Sequence, residues 1–598
     1  MDFPTRAPQE HTIKEIDGYK EYVVTLHNKD DLQSFYNDME TPGGDLYIPN
    51  RAVGLYKRRP LSRNTHYLLT DEERDTVAQD SRVADVQLAD LIRAVVQPFR
   101  TVTGNFNKDE NTIASNHRNW AHLRCTETSQ RNNWGTNGTA DQTDTVTLTS
   151  SGKNVDVIIV DGHCDPSHPE LAVNADGTGG SRVQSFNWYS LNSTVSSIDD
   201  DNRTLPSGSY TYGPYVDSGN ADPDVGAERT SNNNHGSHVA GTVAGNTYGW
   251  AKDATIYNIE FGSSTDPNDM DSLLLYDYIR AFHQTKNINS ETGVKNPTIC
   301  NGSYGASIGW GFGGSTFGPI TRAVYRGVDT GESSTPLTGS QLRANGIVDY
   351  GYGNNPGDAY TGGSSYVPIL FTSTAADIED MVADGIHFVA ASGNDYFKVV
   401  RSTDDNDYNN IFYAEYQGVN YFWYTHRGTA PGISDSVINV GAVGIQIDDR
   451  KTVFSNCGTG VDIYAPGEGI TSSTHTGSGQ SNQADSRNGS YYNSNYQGTS
   501  MASPQVCGIL ACALETYPRM TPAEAKQYLI DYANDNQMLD GTFNNANSLS
   551  SLQGSPNRMV RYYYERPVNG NVYPKKNMKK RPSSGAVWPR PRIRTGGY

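Results

Sequence analysis

The stretch GTSMASP, residues 498–504, joins a glycine-flanked polar segment to an apolar one. Residues 504–517 (PQVCGILACALETY) then place apolar side chains three and four positions apart, which predicts a buried helix. Ser500 is therefore expected at or near the helix N-terminus, where free N–H groups and the positive end of the helix dipole can face an oxyanion. A serine in this position is more often only an N-cap. The hypothesis of a nucleophile therefore depends on partners elsewhere in the chain.

Two other stretches supply those partners. Residues 235–244 (HGSHVAGTVA) have small and apolar side chains at helical spacing, which predicts a second tightly packed helix that begins at His235. The run VIIV, residues 157–160, is typical of a parallel strand buried on both faces, and it ends at Asp161. Open α/β sheets bind ligands at the carboxyl ends of their strands. A serine nucleophile needs a base with a pKa near working pH, such as histidine, and the histidine needs a carboxylate to hold its tautomer.

The order Asp161, His235, Ser500, with the residues around each, resembles the subtilisin-like serine proteases over residues 119–533. The resemblance implies an α/β three-layer fold with a mostly parallel sheet flanked by helices, preceded by a small α+β propeptide domain. It also implies that these three residues form a catalytic triad and that Asn394, in the loop after residues 386–391, donates to the oxyanion. The implied function is a serine endopeptidase that acts on a protein or peptide and is made as a self-processed precursor.

Further blocks of the sequence match the same family. Residues 301–305 (NGSYG) are similar to the segment whose backbone pairs with an extended substrate. The resemblance therefore assigns substrate binding to Ser303, Tyr304, Gly305, Ser392 and Gly393. Residues 454–456 (FSN) and 462–467 (DIYAPG) match blocks that precede the nucleophile. The segment 243–252 is short, as in the proteinase K-like branch, and has no room for the calcium loop of the bacterial subtilisins.

One departure from the family lies next to the aspartate, where Gly162 and His163 replace the usual hydroxyl residue and glycine. His163, Cys164 and His168, or His235 with His238, raise the alternative of a metal site. Their spacings fit no standard zinc pattern and His-Glu-x-x-His is absent, so we expect no catalytic metal, and we expect His238 to be packed and hydrogen-bonded.

No cofactor is expected to be required, and a structural calcium ion is left open without a position. The acidic runs 199–201 and 404–407 carry oxygen ligands, although such loops are usually only solvated.

The chain of 598 residues is long enough for several structural units. We expect an N-terminal extension at residues 1–18, a propeptide-like inhibitor and chaperone at 19–87, and a linker with the processing site at 88–118. The catalytic domain is expected at 119–535, with loop insertions near 173–234 and 306–371, followed by a linker and basic tail at 536–598. The alternative for residues 19–87 is an unrelated interaction domain.

The tail is basic although the formal net charge of the chain is −19. Its tyrosines and prolines suit an extended segment that docks on the acidic body of the enzyme or on a separate acidic partner. Truncation after about Ser555 is expected to leave hydrolysis intact. The second function considered is a structural or interaction protein, such as a component of a virus particle, that retains the protease scaffold.

Composition limits the remaining possibilities. No segment is long and apolar enough for a membrane span, and residues 1–10 lack the apolar core of a signal peptide. The compartment is left open, with an extracellular or particle-associated location among the candidates. The six cysteines show no framework spacing, and Cys507 and Cys512 are expected to be buried thiols.

Overall fold

The computed structural model describes most of the chain. The described residues are 20–48, 55–57, 62–88, 100–109, 111–113, 116–128, 142–198, 205, 228–260, 274–305, 307–310, 317–335, 337, 341, 365–395, 397–401, 405–416, 419–429, 431, 435–446, 448–540 and 551–563. The acidic run 199–201 and the basic residues beyond 563 lie outside them, so the predictions made for those segments stay predictions.

The first unit is a small α+β fold. Its elements are β1 (Lys20–Leu26), α1 (Leu32–Glu40), β2 (Leu55–Lys57), β3 (Asn64–Leu69), α2 (Asp71–Ala78) and β4 (Val83–Leu88). The strands form an antiparallel sheet in the order β2-β3-β1-β4. Thr70 and Glu73 form a capping box at the start of α2. Val24, Phe35 and Met39 are fully buried in a core of its own.

A second group of elements lies in the segment around the predicted linker: β5 (Arg100–Phe106), β6 (His117–Arg118), α3 (Trp120–Thr126) and β7 (Gln142–Leu148). Strand β5 pairs with β6 and β7. The Arg100 guanidinium donates to the carbonyls of Asn246, Gly249 and Trp250. The fully buried side chains of Lys108 and Arg124 both pair with Asp449, at 2.9 and 2.6 Å. The chain from Arg100 onward is therefore packed into the larger unit.

The remaining strands are β8 (Asp156–Asp161), β9 (Thr255–Glu260), β10 (Thr298–Gly302), β11 (Ser307–Trp310), β12 (Phe317–Tyr325), β13 (Val328–Asp329), β14 (Ser365–Pro368), β15 (His387–Ala391), β16 (Ile411–Tyr416), β17 (Val419–Tyr424), β18 (Ile438–Val443), β19 (Ile463–Pro466), β20 (Ile470–Thr474), β21 (Ser481–Asp485), β22 (Asn488–Tyr496), β23 (Asn534–Asp535) and β24 (Arg558–Met559). The remaining helices are α4 (Asn192–Ile198), α5 (Glu228–Ala244), α6 (Leu275–Thr285), α7 (Thr372–Ala383), α8 (Thr499–Thr516) and α9 (Pro522–Tyr532).

The large sheet has the order β23-β24-β19-β18-β15-β10-β8-β9, and all of its strands are parallel except β23. Strand β8 lies between β9 and β10, so the chain leaves β8 toward one edge of the sheet and later continues toward the other. Such a switch point opens a crevice at the carboxyl ends of the strands. Asp161, the last residue of β8, lies at that crevice.

Helices cover both faces of this sheet. All six residues of β8 are buried, as the apolar run predicts. One face belongs to a core cluster that includes residues of α5 and α8, and the other to a cluster that includes residues of α6 and α7; β8 contributes Val157 and Ile159 to the first and Ile158 and Val160 to the second. The predicted three-layer α/β fold is confirmed.

The insertion at 306–371, predicted to consist of loops, contains strands β11 to β14. Strand β11 pairs with β14, and β12 joins β13, β16 and β17 in a four-stranded sheet. The partner β16 lies far along the sequence, so no local pattern of residues reveals the pairing.

Residues 551–563 also differ from the expectation of a linker and tail. Strand β24 lies in the large sheet beside β19, and Met559 and Val560 are fully buried. The hydroxyl of Tyr562 accepts hydrogen bonds from the backbone N–H groups of Thr149 and Ser150, at 3.0 and 2.9 Å. Truncation after Ser555 would therefore remove buried residues of the large unit, which argues against the expectation that it leaves hydrolysis intact.

All six cysteines are free and buried, and burial raises the pKa of Cys507 and Cys512. In the part of the chain that the structure describes, no helix is long and apolar enough to cross a membrane.

Candidate active site

Asp161 holds an imidazole at the end of β8. Its Oδ1 atom lies 2.7 Å from Nδ1 of His235 and also accepts the N–H of Gly162 at 2.7 Å. The Asp161 side chain is only 5% exposed. Its second oxygen, Oδ2, is buried without a hydrogen-bond partner among the described residues. The carboxylate therefore directs its hydrogen bonding at the histidine and at its own turn.

His235 lies inside α5, because the helix begins at Glu228 and not at the histidine as the sequence suggested. A Cβ atom at Gly236 would collide with the carbonyl oxygen of Gly162 and lie 2.7 Å from that of His163. Only glycine lets the helix approach the end of β8 this closely. That approach brings the imidazole of His235 against Asp161.

The electrostatics of His235 suit a general base. Its side chain is 39% exposed, so one edge of the ring is accessible. Burial acts to lower the pKa of His235, but the charge of Asp161 and the hydrogen bond outweigh burial and raise the pKa above its ordinary value. The protonated ring that forms when the base takes a proton is therefore stabilised.

Ser500 is the second residue of α8, after Gly498 at the N-cap, so its predicted position is confirmed. Its Oγ donates to the carbonyl oxygen of Ser303 at 3.2 Å. The hydroxyl of Ser303 in turn donates to the carbonyl oxygen of Ser500 at 3.0 Å. Helix α8 packs directly on α5, which carries His235. This reciprocal pair of hydrogen bonds fixes the start of α8 on the end of β10.

Asn394 presents its amide beside the start of α8. Its side-chain oxygen accepts from the backbone N–H and the hydroxyl of Thr499, at 2.8 and 2.9 Å. A Cβ atom built on Gly498 would lie 3.5 Å from Nδ2 of Asn394 and 3.5 Å from the backbone nitrogen of Ser500. Both nitrogens therefore border one small space. Asn394 is exposed, so a ligand can reach its amide.

Of the five residues predicted to bind substrate, two lie at the start of α8 and the other three contact residues outside that helix. Ser303 and Gly393 lie at the start of α8, since Ser303 exchanges hydrogen bonds with Ser500 and Gly393 donates its N–H to the hydroxyl of Thr499 at 3.2 Å. Tyr304 pairs with the hydroxyl of Tyr276. Ser392 donates its N–H to the carbonyl of Val440 at 3.0 Å and is buried.

Gly305 packs against Thr429, whose methyl group would lie 2.8 Å from a Cβ atom at that position. Substrate contacts of all five residues stay predictions.

The other three histidines considered as metal ligands, His163, His168 and His238, have structural partners. His238 is buried, its Nε2 lies 2.9 Å from the carbonyl of Ile470, and its ring stacks on Tyr496. Burial lowers the pKa of His238 to about 3. His168 uses both ring nitrogens on backbone groups, and Nδ1 of His163 lies 3.5 Å from a Glu260 oxygen.

Within the described ranges, no group of three or more His, Cys, Asp or Glu side chains is arranged to hold a metal. Asp405 and Asp407, from the second acidic run, both pair with Lys398. A structural calcium ion therefore remains without a position.

Sequence reasoning missed the buried side chain of Asn456, which it quoted only as part of a family block. Asn456 is 0% exposed, and its amide forms hydrogen bonds with the loop that carries Asn394. In the sequence, an asparagine that follows a serine is typical of a turn, and nothing marks this one as buried. The sequence therefore carries no signal for this contact.

A comparison with protein families decides the classification. The model of the peptidase S8 or subtilase family matches residues 152–554. The chain belongs to the subtilase family. This subtilase is 32% identical over 172 residues to Subtilisin-like protease 8 of Arthroderma otae, covering 27% of each chain. It is 26% identical over 323 residues to the sexual differentiation process putative subtilase-type proteinase isp6 of Schizosaccharomyces pombe, covering 54% of this chain and 44% of the relative.

An extracellular serine proteinase of a Thermus species is 25% identical to this subtilase over 304 residues, covering 51% of this chain and 47% of the relative. The subtilase thus spans less than half the length of these curated relatives. Among solved structures, a cold adapted subtilisin-like serine proteinase aligns with 76% of this chain and 100% of its own, at 17% identity and a TM-score of 0.41.

Proposed function

We propose that this subtilase is a serine endopeptidase that hydrolyses peptide bonds in protein or peptide substrates. The observation that carries the proposal is the 2.7 Å contact between His235 and Asp161 at the switch point of the sheet. The same edge holds Ser500 at a helix start, with the amide of Asn394 beside it. Together these groups provide a base with a raised pKa, a hydroxyl and two donors for an oxyanion.

Each of these groups has a role in the proposed reaction. Ser500 Oγ leaves its hydrogen bond with Ser303 and attacks the scissile carbonyl carbon, while the free nitrogen of His235 takes its proton. Asp161 stabilises the resulting imidazolium, and Asn394 Nδ2 and the Ser500 N–H donate to the oxyanion. The tetrahedral intermediate then collapses, which breaks the C–N bond as His235 gives the proton to the leaving amine. Water then hydrolyses the acyl-enzyme with His235 again as base.

We also propose that the protein is a precursor of the proteinase K-like branch and that residues 19–87 are its inhibitory propeptide. This unit has its own sheet and buried core, which supports independent folding. The packing of β5 and β24 supports a catalytic unit that extends from Arg100 to Tyr563. The alternative, an interaction domain, predicts no inhibition of the mature enzyme.

A fluorophosphonate probe tests the proposed chemistry without knowledge of the substrate, because it phosphonylates a serine only when a base activates it. We expect wild type to be labelled at Ser500, located by peptide mass mapping, and the His235→Ala and Ser500→Ala variants to remain unlabelled. Ser490→Ala, at an exposed serine, is the matched control and should be labelled like wild type. A folded wild type that takes up no label would contradict the proposal and favour a structural protein that retains the scaffold.

A further inference from the structure

The loop that follows β15 carries Asn394 and lacks regular secondary structure. Its glycine, Gly393, has φ +102°, a left-handed conformation that other residues rarely adopt. Among the described residues, the side chain of Asn394 is anchored through its oxygen, on Thr499. The direction of its amide N–H groups therefore depends on where the loop backbone lies.

The buried side chain of Asn456 fixes that backbone on both sides of Asn394. Its oxygen accepts from the N–H groups of Asp395 and Phe397, at 3.1 and 2.7 Å. Its Nδ2 donates to the carbonyl of Ser392 at 2.7 Å, and its backbone N–H donates to the carbonyl of Gly393 at 3.0 Å. One residue thus contacts four backbone groups around the exposed amide.

The loop is shaped around this side chain. A Cβ atom at Gly393 would collide with Nδ2 of Asn456, so glycine is required for the close approach as well as for its backbone angle. A shift of the Asn456 amide would therefore move the Ser392 and Gly393 peptides and, with them, Asn394.

Asn456 is itself held by the large sheet. Ser455 donates its hydroxyl to the carbonyl of Asn456 at 2.9 Å and accepts the N–H of Ala442, a residue of β18, at 3.0 Å. The fully buried ammonium of Lys451 donates to the carbonyls of Thr452 and Ser455, both at 2.8 Å. The support for the loop is therefore continuous with the rigid part of the fold.

We propose that Asn456 is a positioning residue that aligns the Asn394 amide with the oxyanion. The inference rests on the proposed function, because it acts only through a donor used in the transition state. Since a donor that binds the transition state more strongly than the substrate affects kcat, loss of Asn456 should lower kcat with little change in KM.

A double-mutant cycle tests this with Asn456→Ala, Asn394→Ala and the double variant. We expect Asn394→Ala to lower kcat by about 10²–10³-fold, as for loss of one oxyanion donor. Asn456→Ala should lower kcat by about tenfold or more in wild type and by less than about twofold in the Asn394→Ala background, since contacts in one network are not additive. Asn456→Ser keeps a neutral hydrogen-bonding side chain and buries no charge beside Asp395, so its loss of kcat should be smaller than that of the alanine variant, and it serves if the alanine variant does not fold.

Asn439→Ala is the matched control, because Asn439 is a buried asparagine whose amide bonds the carbonyl of Gly460 outside this loop. It should lower the melting temperature and leave kcat per folded molecule unchanged. Equal losses from Asn456→Ala in both backgrounds, or no loss in wild type, would overturn the positioning role. An Asn394→Ala variant with full kcat would instead overturn the proposed function on which the inference rests.

Discussion

Nδ1 of His235 lies 2.7 Å from Oδ1 of Asp161, and this carboxylate raises the pKa of the histidine against the opposing effect of burial. In the proposed mechanism the neutral imidazole is the base, so kcat/KM should rise with pH as His235 loses its proton, above the pH of an ordinary histidine. In Asp161→Asn only burial remains to shift the pKa of His235, so the rise of kcat/KM with pH should occur at lower pH. The value of kcat should fall by about 10⁴-fold.

Measurement of kcat/KM from pH 5 to 10 for wild type and Asp161→Asn checks this prediction. A rise of kcat/KM at the same pH in both proteins would show that Asp161 does not set the pKa of His235.

Asp395, beside Asn394, provides a second pH-dependent prediction. Burial raises the pKa of its carboxyl to about 6. The folded state therefore favours the protonated form, and the stability it contributes is present below the ordinary pKa of about 4 and lost as pH rises through about 6. Asp395→Asn should stabilise the protein by at most about 3 kcal/mol at pH 8 and have little effect at pH 3.5.

Thermal melts in the Ser500→Ala background, which removes proposed self-digestion, would measure this difference at both pH values. A stabilisation of equal size at pH 3.5 and pH 8 would refute the assignment of a raised pKa.

The C-terminal boundary gives a third prediction. A chain that ends at Tyr563 keeps β24 and the hydrogen bonds of Tyr562, so it should fold and hydrolyse a small peptide like the full chain. A chain that ends at Ser555 loses both and should melt at a lower temperature or fail to fold. Circular dichroism melts and peptide hydrolysis of the two truncated chains would decide. An unchanged melting temperature for the shorter chain would contradict the structural role of residues 556–563.

The sequence predicted the elements that carry Asp161 and Ser500 better than the short strand at the C-terminal side of the large sheet. Asp161 follows a run of four apolar residues, and Ser500 lies at the start of a helix of small and apolar residues, so each position follows from a local pattern. Strand β24 has only two residues and is defined by its partner β19, far along the chain. No local pattern marks such a strand.

The contact of Asn456 with the Asn394 loop is hidden for a related reason. It joins residues about 60 positions apart, through a side chain whose type is common in turns. Likewise, the start of α5 lies in polar residues that give no apolar periodicity, so the sequence placed the helix start at His235.

The N-terminal unit provides a fourth prediction. Residues 19–87, made as a separate polypeptide, should inhibit the mature enzyme in a dose-dependent manner. Phe35→Asp should abolish inhibition because Phe35 is fully buried in the core of this unit, whereas Gln33→Asp, at an exposed position, should leave inhibition intact. An enzyme that is equally active with and without the added unit would favour the interaction domain.

N-terminal sequencing of the mature chain should locate the cut before Arg100. The guanidinium of Arg100 donates to three backbone carbonyls of the catalytic unit, and β5 pairs with β7 along its whole length. A mature chain that begins after Phe106 and retains full activity would show that β5 belongs to the removed segment.

Intact-mass measurement of freshly purified wild type beside Ser500→Ala tests the central claim most directly, because it reports the chemistry of Ser500 on the protein's own chain. We expect wild type to be found as a processed chain without its N-terminal unit, and Ser500→Ala to be found only at full length. Wild type added in trace amount should then process the Ser500→Ala protein, which shows that the variant is folded and cleavable. Identical processing of both proteins, with peptide hydrolysis undiminished in Ser500→Ala, would contradict the assignment of Ser500 as the nucleophile.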